Sequence, residues 1–171
     1  MLISNEWLKD YVNVDQSVQA LAERITRTGI EVDDIIDYTK DIKKLVVGHV
    51  LSKTPHPDAD KLNICQVDLG EEEPVQIVCG APNVDEGQHV IVAKVGGRLP
   101  GGIKIKRAKL RGERSEGMIC SLQEIGISSH VTPKNYESGI YVFPEAVKPG
   151  TDALEAIYLN DQVMEFDLTP N

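Results

Sequence analysis

An α+β chain is predicted, with a closed β-barrel of five or six short strands inserted into a small α+β domain that the two chain ends build together. Three observations predict it. The first 30 residues carry helical periodicity. From Leu45 to about Phe143 the pattern changes to period-two alternation broken by turn signals, and a helix-then-strand pattern returns after Gly150. The polar segment "TKDIKK" at 39–44 and the turn "VKPG" at 147–150 mark the boundaries. Residues 1–40 and 151–171 are therefore read as two parts of one flanking domain, and 41–150 as the barrel. The flanks total 61 residues, which is marginal for a lone domain, so uncovered apolar surface is expected near Trp7, Tyr158 and Phe166.

Taking the elements in order, Ser4 can cap a short helix whose apolar face is Trp7, Leu8, Tyr11 and Val12. Asp15 can cap a second, with Val18, Leu21, Ala22 and Ile25 at helical spacing and Gly29 as its stop. A strand follows at Ile30 to Ile36. In the barrel region "LVVGHVL", "NICQVDLG", "PVQIVCG" and "HVIVAKVGG" read as strands, separated by "EEEP", "GAPN", "DEGQ" and "LPGG". "SLQE" at 121–124 is a capping box for a single helical turn that Gly126 ends, and "YVF" at 141–143 offers a last strand. Beyond the second boundary "TDALEAIYL" reads as a helix with Leu154, Ile157 and Tyr158 on one face. "QVMEFDL" reads as a strand with Met164, Phe166 and Leu168 alternating.

Composition narrows the function classes. The 171 residues carry a formal net charge of −9. No apolar run approaches the ~20 residues of a membrane span, and the residues after Met1 do not read as a secretory leader. Cys65, Cys79 and Cys120 contain no CxxC pair and read as three reduced, partly buried thiols of a cytosolic protein. The charge is unevenly placed. Between Lys94 and Arg114 stand eight basic residues against Glu113 alone, a net +7 in 21 residues, which leaves −16 on the other 150. Polyanion binding responds to such a local field rather than to bulk charge.

Three candidate sites emerge. "HPDADK" at 56–61 groups His56, Asp58 and Asp60; Pro57 and the aspartates suit a structural turn with capped amides, and no metal is expected there. The glycines at 96, 97, 101 and 102 lead into "IKIK", a strand pattern, and so read as a hairpin turn rather than a phosphate loop before a helix. The third is the basic stretch. Lys104 and Lys106 share one strand face. The parity then switches, placing Arg107, Lys109 and Arg111 opposite Ala108 and Leu110. A bulge near Arg107 would keep the apolar residues inward and gather all five cations on one outer surface, the geometry of a phosphate-binding strip. No Phe, Tyr or Trp lies between Tyr38 and Tyr136, so base-stacking platforms are lacking and recognition should rest on phosphate and shape, as for folded RNA. Met118 and the arginine planes offer cover for a base, and Ser115 offers a hydroxyl.

These residues carry a resemblance. "HPDADKL" followed by "GGRLPGGIKIKRAKLRGERSEGMICS" resembles the tRNA-binding domain of the endothelial-monocyte-activating-polypeptide type, an oligonucleotide-binding (OB) barrel. The resemblance implies RNA contacts from Lys104, Lys106, Arg107, Lys109, Arg111, Ser115 and Met118, and from His56 and Lys61 at the turn. Glu113 departs from the neutral residue usual in that family. "SNEWLKDYV", "RITRTGIEVD" and "EFDLTPN" in the flanks resemble the start of the β subunits of bacterial phenylalanyl-tRNA synthetases, in which such a barrel is inserted into a first α+β domain. That resemblance implies a non-catalytic, cytoplasmic, tRNA-binding fragment with no cofactor of its own, and ATP, magnesium and a catalytic α subunit for the longer parent. Membrane and DNA are not expected partners. The alternative is a free-standing tRNA-binding or chaperone-like protein on the same barrel.

Overall fold

The computed structural model describes residues 1–169. In chain order its elements are β1 (Leu2–Ser4), α1 (Asn5–Leu8), α2 (Val18–Arg27), β2 (Glu31–Asp37), β3 (Lys43–His56), β4 (Ala59–Asp68), β5 (Val75–Cys79), β6 (His89–Leu99), β7 (Ile103–Lys104), β8 (Ala108–Leu110), β9 (Glu113–Ser115), β10 (Met118–Ile119), α3 (Ala153–Ala156) and β11 (Gln162–Asp167), with one 3₁₀ turn at Lys134–Tyr136. They form two compact units: Met1–Lys40 with Tyr158–Asn171, and Asp41–Ile157.

The first unit is one antiparallel sheet, ordered β1-β11-β2, under a helix. The alternation in "QVMEFD" puts Met164 and Phe166 on one face of the central strand. Val18 and Ala22, one helical turn apart on α2, pack onto them, with Leu8, Leu21, Ile25, Val32 and Ile35 around the edge. Ser4 caps α1 as expected, its Oγ accepting from Trp7 N at 3.0 Å. The second helix begins later than Asp15 suggested: Ser17 is its cap, with Oγ accepting from Ala20 N at 3.2 Å. Trp7 and Tyr158 are exposed as expected, at 57% and 89%, but Phe166 is buried beneath α2.

The second unit departs from the predicted closed barrel. Its main sheet has the order β10-β6-β3-β4-β5, with β7 added to β6, and it is open, because β5 and β10 do not pair. Strand β3 is the shared strand, hydrogen-bonded to β6 along its first half and to β4 along its second. Inward residues from these strands make the core: Val50, Cys65, Val67, Ile77, Val90 and Val92, closed by Ile119 and Ile140. "HVIVAKVGG" does not stop at its glycine pair. Strand β6 runs on to Leu99 through a bulge in which Lys43 faces Arg98 but Leu45 faces Ala93. Gly97 permits the close approach there, since a Cβ would sit 2.7 Å from Lys43 O and 2.8 Å from Lys94 O. "YVF" contributes a bridge, Val90 to Val142, rather than a strand. The "SLQE" box does form: Ser121 Oγ accepts from Glu124 N at 3.2 Å while the Glu124 carboxylate accepts from Ser121 N at 2.6 Å.

The helix read from "TDALEAIYL" shrinks to Ala153–Ala156. It belongs to the larger unit, not to the flanking one to which the sequence reading assigned it. Asp152 caps it, Ala153 and Leu154 are buried, and Val47 N donates to Thr151 O at 2.8 Å. A fragment of residues 41–157 is therefore expected to unfold in urea as one unit. Cutting at 150 instead should cost about 2–4 kcal/mol, from one buried leucine and one strand-type hydrogen bond. Equal midpoints for the two fragments would show that the 151–157 segment adds nothing to the fold.

Candidate nucleic-acid interface

The basic stretch begins at a hairpin. Gly101 and Gly102, at φ +81° and +75°, turn β6 into the two-residue β7. The chain then leaves the sheet. Ile105 is buried, held by Ile105 N to Gly97 O at 3.0 Å, while Lys104 and Lys106 on either side are exposed. From Ala108 to Ser115 it forms a separate two-stranded hairpin, β8 with β9. Its loop is Arg111–Gly112, with φ +50° and +91°, the signature of a type I′ turn.

This hairpin divides the predicted strip. Lys104 and Lys106 border a groove of about 880 Å³ whose lining includes Ile105, Leu110, Met118 and Ile140. Lys109 lies on the other face of the hairpin, directly opposite Arg114. The five cations thus do not share one surface: Lys104 and Lys106 border the groove, Arg107 lies with Lys109 and Arg114, and Arg111 reaches from the hairpin tip toward Asp58. The physical reason is that the chain leaves β6 after Ile105, at Lys106–Arg107, instead of bulging within the sheet, so that Ala108 and Leu110 stay exposed.

Two like charges opposed across a hairpin are unfavourable in isolation, and one carboxylate offsets this pair. Glu116 Oε1 accepts from Arg107 Nε at 3.1 Å and lies 3.5 Å from Arg114 Nη2. Glu116 was missed by the charge count, which stopped two residues short of it; including it lowers the net charge of 94–116 to +6. Lys94 is paired with Glu71. Among the described residues, Lys104, Lys106 and Lys109 form no ion pair.

Two predicted contact residues are spent inside the protein. Ser115 is buried; its Oγ accepts from Val78 N at 3.0 Å and donates to Gly117 O at 3.2 Å. His56 is also buried. Its Nδ1 accepts from Asp58 N at 3.0 Å, which leaves Nε2 to donate to Leu110 O at 2.9 Å. The "HPDADK" turn is therefore a hydrogen-bonded structure, with Lys61 exposed beside it and Met118 half-buried in the groove. The aromatic residues absent from 39–135 stand beyond it and pack on one another: Tyr136 and Tyr141 approach at 5.0 Å between centroids, and Tyr141 meets the buried Phe143 edge-on at 5.1 Å.

No fit for a nucleotide phosphate cradle exists at the glycines, which form a bulge and a hairpin turn rather than a helix start. Among the described residues, three carboxylates come together at Glu31, Asp33 and Asp167, all exposed. The cysteines are buried and free. Burial pushes the Cys65 thiol up to about 11 and the Cys120 thiol up to about 12, so neither is a thiolate near neutrality. Disulfide-exchange reagents at pH 8 should leave all three unmodified in the native state and label them after denaturation. Ser115→Ala strips the buried Val78 N–H of its acceptor and should destabilise the protein by about 1–3 kcal/mol in denaturant titration; a wild-type midpoint would remove Ser115 from the structural frame.

The sequence matches the family described as "Putative tRNA binding domain" over residues 45–152. Over all 171 residues it is 99% identical to the phenylalanine–tRNA ligase β subunit of Staphylococcus epidermidis and 84% identical to that of Staphylococcus aureus. It spans 21% of the length of each. Among solved structures, the C-terminal domain of Plasmodium vivax p43 aligns with 67% of this chain and 61% of its own, at 24% identity and a TM-score of 0.45. Among the described residues no helix is long and apolar enough to cross a membrane. The extent of the family match, through the core strands and the basic hairpin to the Asp152 cap of α3, shows that the chain belongs to the tRNA-binding-domain family.

Proposed function

We propose that this chain is the tRNA-binding region at the start of a phenylalanine–tRNA ligase β subunit, and that it holds tRNA by its phosphates without catalytic chemistry of its own. The observation that carries this reading is the exposed, unpaired set Lys104, Lys106 and Lys109, placed around a hairpin in an otherwise acidic chain. A fold that opposes Lys109 to Arg114 accepts a local electrostatic cost, and a polyanion offsets that cost when bound. Arg107 and Arg111 complete the phosphate contacts, while Lys61 and Met118 flank them. His56 and Ser115 act through structure rather than by touching RNA. We read the open sheet as an OB-type barrel whose last side is closed by hydrogen bonds between β5 and Ser115–Glu116 instead of a ladder. Residues 41–157 act as the binding domain.

The β-subunit relationship supports a place in the cytoplasm and in a larger assembly with an α subunit. ATP and magnesium would be handled by parts of that assembly outside this chain. The near-complete identity to β subunits across both units favours this over a free-standing tRNA-binding protein.

In filter binding at low salt the chain should retain folded tRNAs without strong preference among isoacceptors. With five phosphate contacts, raising salt from 50 to 200 mM should weaken binding by about two to three decades at the duplex slope. Replacing Lys104, Lys106 and Lys109 together by Glu should reduce retention to background while the melting temperature changes little. Undiminished binding by that variant would sink the reading.

A further inference from the structure

We infer that His56 is a positioning residue for RNA binding: it latches the tip of the basic hairpin to the β3–β4 turn. The inference rests on the phosphate-contact reading above. A two-stranded ribbon is at best marginal on its own in water. The base of this one is tied to β5, because Gln76 Nε2 donates to Arg114 O at 2.9 Å, Glu116 N donates to Gln76 O at 2.8 Å and Val78 N donates to Ser115 Oγ. Its tip, Leu110–Arg111–Gly112, makes no ladder with the main sheet. Among the described residues two hydrogen bonds from outside the hairpin hold it, and both come from the turn between β3 and β4. His56 Nε2 donates to Leu110 O, and Arg111 Nη1 donates to Asp58 O at 3.3 Å.

The imidazole is well suited to this. Accepting from Asp58 N fixes the ring's tautomer and orientation, so the Nε2 proton has one direction to point. The ring is also 5% exposed, so the bond to Leu110 O is shielded from competing water. Pro57 restricts the backbone that follows. The turn is hydrogen-bonded through His56, and among the described residues neither Asp58 nor Asp60 caps an amide with its carboxylate as the sequence suggested; the imidazole's partner lies 54 positions away in the hairpin that carries Lys109 and Arg114.

The test compares His56→Phe, which keeps a ring and removes both nitrogens, with His56→Gln, whose amide can still donate to Leu110 O. Amide exchange at Leu110 and Glu113 should accelerate about tenfold or more in the Phe variant and return toward the parent rate in the Gln variant. Affinity for unmodified tRNA transcript at 50 mM salt should fall about tenfold, the equivalent of roughly one phosphate contact, and recover with Gln. In a Lys109→Ala/Arg111→Ala background His56→Phe should cost no further affinity, since the phosphate contacts it positions are gone. Should the Phe variant fail to fold, His56→Asn serves in its place; it keeps an acceptor for Asp58 N–H and is too short for Leu110. Unchanged exchange in the Phe variant overturns the latch. Faster exchange with unchanged affinity, or a full additional loss in the double-alanine background, overturns the positioning role. A parent chain that binds no tRNA sinks the phosphate reading itself, a failure distinct from these because the exchange measurement still reports the latch.

Discussion

The unpaired edge of β5 is the constraint on which the larger unit turns. Strand β4 satisfies one side of Val75–Cys79. The other side would leave backbone groups without partners beside the core, which is costly wherever water is excluded. The chain answers with a seam of mixed bonds. Gln76 O accepts from Glu116 N, Val78 N finds the Ser115 hydroxyl, and the Gln76 side chain reaches both Glu113 and Arg114 O. Gly117 then turns the backbone at φ +142° so that Met118 and Ile119 can pair with β6. Because the seam is closed at 115–117, the seven residues before it have no place in the sheet and fold back on themselves as a hairpin. The basic surface is a by-product of how the edge is closed.

That surface is arranged against local stability. Lys109 faces Arg114, Glu116 is the single carboxylate shared by two guanidinium groups, and three lysines have no partner among the described residues. Some lysines elsewhere pair with acids, as Lys53 does with Asp85 and Lys94 with Glu71. Exposed pairs contribute little in either direction, so the contrast matters as charge placement.

Much of this was legible in residue order. Alternation in "QVMEFD" and the i, i+3, i+4, i+7 spacing in α2 are periodic signals, and both elements form. The limits came where a non-local partner decides. Asp15 and Ser17 are both competent caps, and the start of the helix two residues later selected Ser17. The glycine pair at 96–97 looked like a strand end, yet it lets β6 pass close to Lys43. Parity in "IKIKRAKL" predicted that a switch occurs near Arg107 but not that the chain would leave the sheet to make it. That depends on the Ile105 anchor and on the far side of β5. Ser115 and His56 were recognised as polar residues worth attention, and their partners, Val78 and Leu110, lie 37 and 54 residues away. Nothing local distinguishes a hydroxyl offered to solvent from one closing a seam.

Within the larger unit the separation of charge, +7 in one 21-residue stretch against −9 over its other residues (6 basic, 15 acidic), also makes that unit an electric dipole. A polyanion approaching from any side exerts a torque that turns the hairpin toward it before contact. The consequence is kinetic. Steering of this kind acts on the rate of encounter and weakens with ionic strength, whereas residence time depends on the few short contacts made after arrival. Charge placed this way acts on how often a polyanion arrives in the right orientation, and leaves how long it stays to the short contacts at the hairpin.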